Sequence, residues 1–199
     1  MTSEGVDIDK RRFLTQAAVV IGAIGTGAVT LPFISSMKPS AKAEALGAPV
    51  EVDISKIEPG QLIRVLWRGN PVWILHRTPN NLAILPTLDN QLRDPRSKES
   101  DQPKAMANEF RSIKPEIFVA IGVCTHLGCS PVYRPEIAPA DLGPDWKGGF
   151  FCPCHGSRFD LAGRVYKAVP APTNLEIPPY HYISDTRIVI GMSGGEESR

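Results

Sequence analysis

A mainly polar run of twelve residues ends in Lys10-Arg11-Arg12, and the next 25 residues, Phe13 to Met37, pass without a charge. As a helix that stretch would run roughly 37 Å, against a hydrocarbon core about 30 Å thick. Gly22, Gly25 and Gly27 thin its apolarity, Thr15, Gln16, Thr26 and Thr30 add polar groups, and Pro32 falls near its end. The pattern predicts one transmembrane helix at 13–37 behind a cytoplasmic segment at 1–12, because positive residues before a span keep that end inside. A cleaved export signal is the competing reading, since Ala41-Lys42-Ala43 has the small-x-small spacing of a cleavage site. A buried core helix fits worst, as nothing apolar downstream is long enough to wrap it. Lys38 to Pro49 is small and apolar-poor and reads as a flexible tether, with a short helix over Ala41–Leu46 as the alternative local state.

From Val50 onward the pattern changes to that of strands. Gln61–Arg68 and Pro71–Arg77 predict two strands joined by a hairpin turn at Gly69-Asn70. Glu116–Val123 (EIFVAIGV) reads as a buried strand that runs directly into a Cys/His-rich segment. Tyr180–Ser184 and Arg187–Met192 predict another hairpin, turning at Asp185-Thr186. Leu88–Ser112 is polar and charged and reads as a surface insertion, partly helical. Asp141–Gly149 (DLGPDWKGG) reads as an exposed excursion without chemistry. No repeat or low-complexity tract interrupts the chain.

A length of 199 residues allows one soluble domain plus an appendage. Lys and Arg number 22 against 21 Asp and Glu, a net charge of +1, which offers no electrostatic footprint for nucleic acid. Apolar residues at 42% and charged residues at 22% are ordinary for a globular chain. With 19 Pro, 17 Gly and only 7% aromatics, a loop-rich β protein is favoured over a helical bundle. The basic run adds a finer signal: Lys10-Arg11-Arg12-Phe13-Leu14 looks like a twin-arginine export signal, with Lys10-Arg11 as the alternative pair. That route carries folded cargo, which suits a protein that receives a cofactor before export.

All four cysteines lie between Cys124 and Cys154, so they form a local site rather than a scattered disulfide framework. Two short segments hold them together with two histidines: Cys124-Thr125-His126-Leu127-Gly128-Cys129 and Cys152-Pro153-Cys154-His155-Gly156-Ser157. A structural zinc site needs four ligands in a closed tetrahedron; here there are six candidates, and C-x-H is not a finger spacing. Plain disulfides would leave both histidines unexplained. A [2Fe–2S] cluster with two Cys on one iron and two His on the other uses C-x-H from one segment and C-x-x-H from the other. His76, within a strand, and His181, in a Tyr-rich stretch, have no second ligand nearby and read as packed or surface residues.

CTHLGC paired with CPCHGS resembles the Rieske iron–sulfur proteins of the respiratory cytochrome bc1 complex, and the resemblance extends over anchor, tether, β domain and both Cys/His segments. It implies an all-β fold, a Rieske-type antiparallel β-sandwich over 50–197 with an inserted cluster-binding subdomain at about 120–165. It implies that Cys124 and Cys152 ligate one iron, that His126 and His155 ligate the other, and that Cys129 and Cys154 form a disulfide. Ser157 matches the family serine that hydrogen-bonds a bridging sulfide, and Leu127 would shield the cluster and shape a quinol-facing surface. Pro170-Ala171-Pro172 is similar to the family's proline loop, which covers the cluster from a third side, with an ordinary rigid turn as the alternative. Many members carry a Tyr two residues after that serine, with its hydroxyl on a ligand Cys sulfur; here the position is Phe159.

The ligand set has an electrostatic logic. A diferric pair with two sulfides is doubly positive; two thiolates neutralise it, whereas four would leave it negative before any electron arrives. Adding an electron to a neutral site is easier, and such centres span about −150 to +300 mV, against about −400 mV for plant-type ferredoxins. Ferric iron also lowers the pKa of a ligand imidazole and reduction raises it, so an exposed ligand His can take a proton along with the electron.

The resemblance therefore implies a subunit of a quinol–cytochrome c oxidoreductase that takes an electron and a proton from ubiquinol at a cytochrome b site, through His155 with His126 beside it, and delivers the electron to cytochrome c1. It implies a dimeric complex in the bacterial inner membrane, with the N-terminus cytoplasmic and the cluster domain periplasmic. Two other classes share parts of the pattern. A Rieske-type ferredoxin serving a ring-hydroxylating dioxygenase typically lacks the extra Cys pair and the membrane segment, and a disulfide suits an exported location better than the cytosol. Another exported oxidoreductase, such as an arsenite oxidase, shares export and cluster but fits the spacer and length less well.

Overall fold

In the computed structural model, residues 7–40, 43 and 47–192 are described, and the chain divides into two units, 1–45 and 46–199. The first unit contains helix α1, Ile8–Ser35, 28 residues capped by the Asp7 side chain, which accepts from the backbone N–H groups of Asp9 and Lys10. The helix starts five residues before the uncharged stretch, because an N-cap aspartate satisfies the first free amides wherever it stands. Lys10-Arg11-Arg12 thus lie within its first turns. None of its residues is buried within the chain, and it is long and apolar enough to cross a membrane. Pro32 is tolerated three residues from its end. Ala41 and Lys42, two residues of the cleavage-like triplet, and most of the alternative short helix at 41–46 lie outside the described residues.

The second unit is built on three antiparallel three-stranded sheets. Strands β1 (Val50–Asp53), β8 (Tyr180–Ser184) and β9 (Arg187–Ile190) form one, in the order β1-β9-β8. Strands β2 (Leu62–Trp67), β3 (Asn70–His76) and β4 (Ile117–Ile121) form the second in chain order. Strands β5 (Val132–Arg134), β6 (Gly149–Phe151) and β7 (Arg158–Phe159) form a small third sheet inside the segment expected to bind the cluster. The first hairpin turns one residue earlier than Gly69-Asn70: Trp67 pairs with Asn70, leaving Arg68 and Gly69 as the loop, both at positive φ (50° and 77°). That is the backbone of a type I′ turn, whose twist matches the flanking strands.

β4 is buried at every position, which is why its sequence shows no alternation. Its Phe118 and Trp73 of β3 meet Phe150 of β6, Trp73 stacking on the Phe150 ring at 4.8 Å between centroids, so the small sheet is seated on the large one by aromatic packing.

Two predicted surface segments are partly interior. After helix α2 (Pro79–Ile84), residues Leu85–Gln91 form a 3₁₀ helix, and Leu88 and Leu92 join Leu142, Trp146 and Tyr166 in a second apolar cluster. Trp146, in the segment read as an exposed excursion, is only 1% exposed and donates its indole N–H to the Arg134 carbonyl. Within 88–112, Arg111 is fully buried, its guanidinium on the carbonyls of Ala162 and Gly163 and on the Gln102 amide oxygen. Arg77 and Arg164 are buried in the same region. Arg77 donates to the carbonyls of Phe110 and Leu161, and Arg164 pairs with Asp160 and Asp89. Most charges of 88–112 do face outward, but Arg111 is satisfied inside by carbonyls and an amide oxygen, as burial requires.

Candidate iron–sulfur centre

The two Cys/His segments fold into near copies of one loop. In the first, Cys124 N–H donates to the Cys129 carbonyl and Gly128 N–H to the Cys124 carbonyl, at 2.7 and 3.0 Å. In the second, Cys152 N–H donates to the Ser157 carbonyl and Gly156 N–H to the Cys152 carbonyl, at 2.8 and 2.9 Å. The first loop leaves fully buried β4; the second connects β6 to β7. Cys129 and Cys154 join in a disulfide that ties the two loops.

Within this frame the candidate donors separate by chemistry. Cys124 and Cys152 are free thiols and buried, whereas His126 is half-buried and His155 exposed. The two imidazoles are perpendicular with centroids 4.8 Å apart. Leu127 stands 71% exposed beside them. Burial pushes the Cys124 thiol up; the neighbouring Cys152 adds to this, while the His126 N–H and the Ser157 hydroxyl favour the thiolate. Cys152 also lies near the disulfide sulfurs, all three within 4.8 Å, but a disulfide sulfur has no thiolate to offer a metal.

Two buried sulfurs and a pair of neighbouring imidazoles, on loops tied by a disulfide, are a donor set that fits a cluster of the mixed Cys/His type. With burial pushing the Cys124 thiol up, its sulfur carries charge at the site only if a cation takes the place of the proton. His76 and His181 stay apart: each holds a backbone carbonyl through Nδ1, that of Ile57 at 2.6 Å and that of Met192 at 3.2 Å.

The proline segment closes the site from the side. Ala171 is fully buried between exposed Pro170 and Pro172. Its N–H donates to Ser157 Oγ at 3.0 Å, and Thr125 Oγ1 donates to the Thr173 carbonyl at 2.7 Å, so the segment touches both loops. Thr125 and the 88–112 residues that support this segment touch the surroundings of the candidate site, and spacing alone did not expose them. The signal available was indirect: a run of hydrogen-bonding side chains (Arg93, Asp94, Ser97, Ser100, Gln102) with no surface periodicity.

Residues 91–180 match the family model described as Rieske [2Fe-2S] domain, which defines the class of protein: an iron–sulfur protein whose cluster takes nitrogen as well as sulfur. Residues 1–40 match a second model, Ubiquitinol-cytochrome C reductase Fe-S subunit TAT signal. The Ubiquinol-cytochrome c reductase iron-sulfur subunit of Allochromatium vinosum is 60% identical over 195 residues, covering 98% of this chain and 94% of that one. Its counterpart in Blastochloris viridis is 42% identical over 191 residues, covering 96% and 97%. The chain belongs to the ubiquinol–cytochrome c reductase iron–sulfur subunit family. A chain of a solved Hyperthermophilic respiratory Complex III overlaps 87% of this chain and 98% of its own length, at 27% identity and a TM-score of 0.47. The apolar N-terminal helix and the export-signal match together fit a membrane-anchored, exported subunit.

Proposed function

We propose that this chain is the electron-carrying subunit of a quinol–cytochrome c oxidoreductase, oxidising ubiquinol beside cytochrome b and passing the electron to cytochrome c1 in a dimeric complex. The observation that carries this reading is the polarity of the site, with the ligand sulfurs buried, His126 half-buried and His155 exposed, in a chain that also holds a membrane-length helix.

Cys124 and Cys152 would hold one iron and His126 and His155 the other, and the cluster they bind supplies a site for one electron at a potential suited to a quinol. The exposed His155 edge accepts a hydrogen bond from the quinol hydroxyl and takes its proton, and half-buried His126 flanks it. Leu127 offers the apolar surface against which a quinone ring and its lipid-soluble tail can lie. The Cys129–Cys154 disulfide keeps the loops, and hence the imidazoles, at fixed separation. Ser157 steadies the buried side by accepting from Ala171 and facing Cys124.

The organisation that goes with this reading has residues 1–12 in the cytoplasm, an anchor at 13–37, a tether at 38–49 and the cluster domain at 50–197 on the periplasmic side of the inner membrane. A diffusing ferredoxin has no use for anchor or tether.

EPR of the reduced protein in its native membranes tests the reading. A Rieske-type signal that shifts when a quinone-site inhibitor is added supports it; a signal insensitive to the inhibitor would favour another exported oxidoreductase.

A further inference from the structure

We propose that Arg93 is a positioning residue of the metal cradle, clamping the Pro170–Thr173 segment onto both ligand loops. The inference rests on reading Cys124, His126, Cys152 and His155 as ligands and extends it to a side chain far from either motif.

The segment is poorly equipped to hold itself. Two of its four residues are prolines without an N–H, and its described side-chain hydrogen bonds to the ligand loops are the two through Ala171 N–H and the Thr173 carbonyl. Arg93 supplies the third point of support. Its Nη1 donates to the Pro172 carbonyl at 3.0 Å, with the Ala171 carbonyl at 3.5 Å. Among the described residues no carboxylate pairs with Arg93, and its described side-chain hydrogen bonds are those of Nη1 to these carbonyls.

The base from which Arg93 reaches is rigid. Arg93 N–H donates to the Val165 carbonyl, and Leu92 forms a bridge pair with Tyr166. Asp94 accepts from the N–H groups of Lys98 and Glu99 and from the Ser100 hydroxyl. Asn174, just past the proline segment, donates to the Asp94 carbonyl and to Ser97 Oγ. An exposed guanidinium on a fixed backbone thus presses a wedge, fully buried Ala171, against the Ser157 hydroxyl that faces Cys124. If the wedge loosens, the hydroxyl that steadies a ligand sulfur loses its orienting donor, and the tip opens to water.

The test uses the full chain in its membranes and an amide-exchange readout alongside spectroscopy. In the unmodified protein the Ala171 amide is strongly protected from hydrogen exchange. Arg93→Gln accelerates exchange at Ala171 by about tenfold or more, the worth of one hydrogen bond to a charged group. The same variant lowers the midpoint potential of the centre and alters its EPR line shape, and Arg93→Lys restores part of both. Exchange at Ala171 as fast as an open loop in the unmodified protein would overturn the proposal. So would an Arg93→Gln protein with unchanged exchange, potential and line shape. A lysine variant that recovers the potential without the protection would also overturn it, by assigning the effect to charge at the tip. Absence of any Rieske signal in the unmodified protein would instead bring down the ligand reading on which this rests.

Discussion

Gly128 and Gly156 are equivalent positions in two different loops: each lies four residues after a candidate ligand cysteine, donates its N–H to that cysteine's carbonyl, and holds a positive φ, 82° and 78°. Open space surrounds the Cβ position at both, so the backbone alone demands glycine there. The site is one motif used twice, with the imidazole offset by a single residue between the copies.

Replacing either glycine by alanine therefore costs backbone strain without steric clash, roughly 1–2 kcal/mol. For a domain of this size that lowers the melting temperature by about 2–8 °C. Differential scanning calorimetry of Gly128→Ala and Gly156→Ala checks this, and similar shifts for the two are expected from their equivalence.

Ser157→Ala leaves the buried Ala171 N–H without an acceptor and removes the hydroxyl that faces Cys124. An orphaned buried amide costs about 1–3 kcal/mol. Denaturant titration should show that loss, and a redox titration should show a lower potential, since a donor that stabilises negative charge at sulfur is gone. A stable variant at unchanged potential would contradict both parts.

Phe159 is fully buried in β7, two residues after Ser157. Many proteins similar to this one carry Tyr there, with its hydroxyl on a ligand sulfur. Phe159→Tyr is expected to raise the midpoint potential, measured by EPR-monitored redox titration; no change, or a fall, would show that the hydroxyl finds no sulfur in this chain.

Asp94 ties the support of the proline segment to pH. Burial pushes its carboxyl up, but the Ser100 hydroxyl and the N–H groups of Lys98, Glu99 and Ser100 outweigh that and hold it below the ordinary aspartate range. A depressed native value means that its stabilisation is complete above the unfolded value of about 3.9 and disappears as the pH falls through the native one. Asp94→Asn should lower stability at neutral pH and flatten the acid limb, so that the two proteins converge once the pH has fallen below the depressed native value. Unfolding midpoints measured across pH 2–7 check this; parallel curves would show that Asp94 contributes nothing through its charge.

The chemistry was far more legible in the chain than its support. C-x-H and C-x-x-H announce themselves because metal ligands must sit at short, fixed spacings on tight loops. The β2–β3 hairpin was legible as well, although its turn lies one residue earlier, since a two-residue type I′ loop can place Arg68 rather than Asn70 at positive φ. Leu88–Ser112 misled because composition cannot distinguish a charge in water from one on buried carbonyls: Arg111 and Arg96 look alike in sequence, yet only Arg111 is interior. Trp146 misled for a similar reason, as a Gly/Pro-rich setting suggested an excursion while its ring seeks Tyr166.

The three interior arginines bear on how this molecule can be made. Arg77 reaches a carbonyl 84 positions further along, Arg111 carbonyls 51 and 52 positions on, and Arg164 a carbonyl 79 positions back. Nearly every partner lies in the stretch just beyond the second ligand loop or in the insertion that underpins it. The receptacle for the metal therefore draws on chain before the first ligand loop and after the second, and its buried charges are satisfied only when both stretches are in place. Such a product has every reason to be finished at its birthplace and shipped whole.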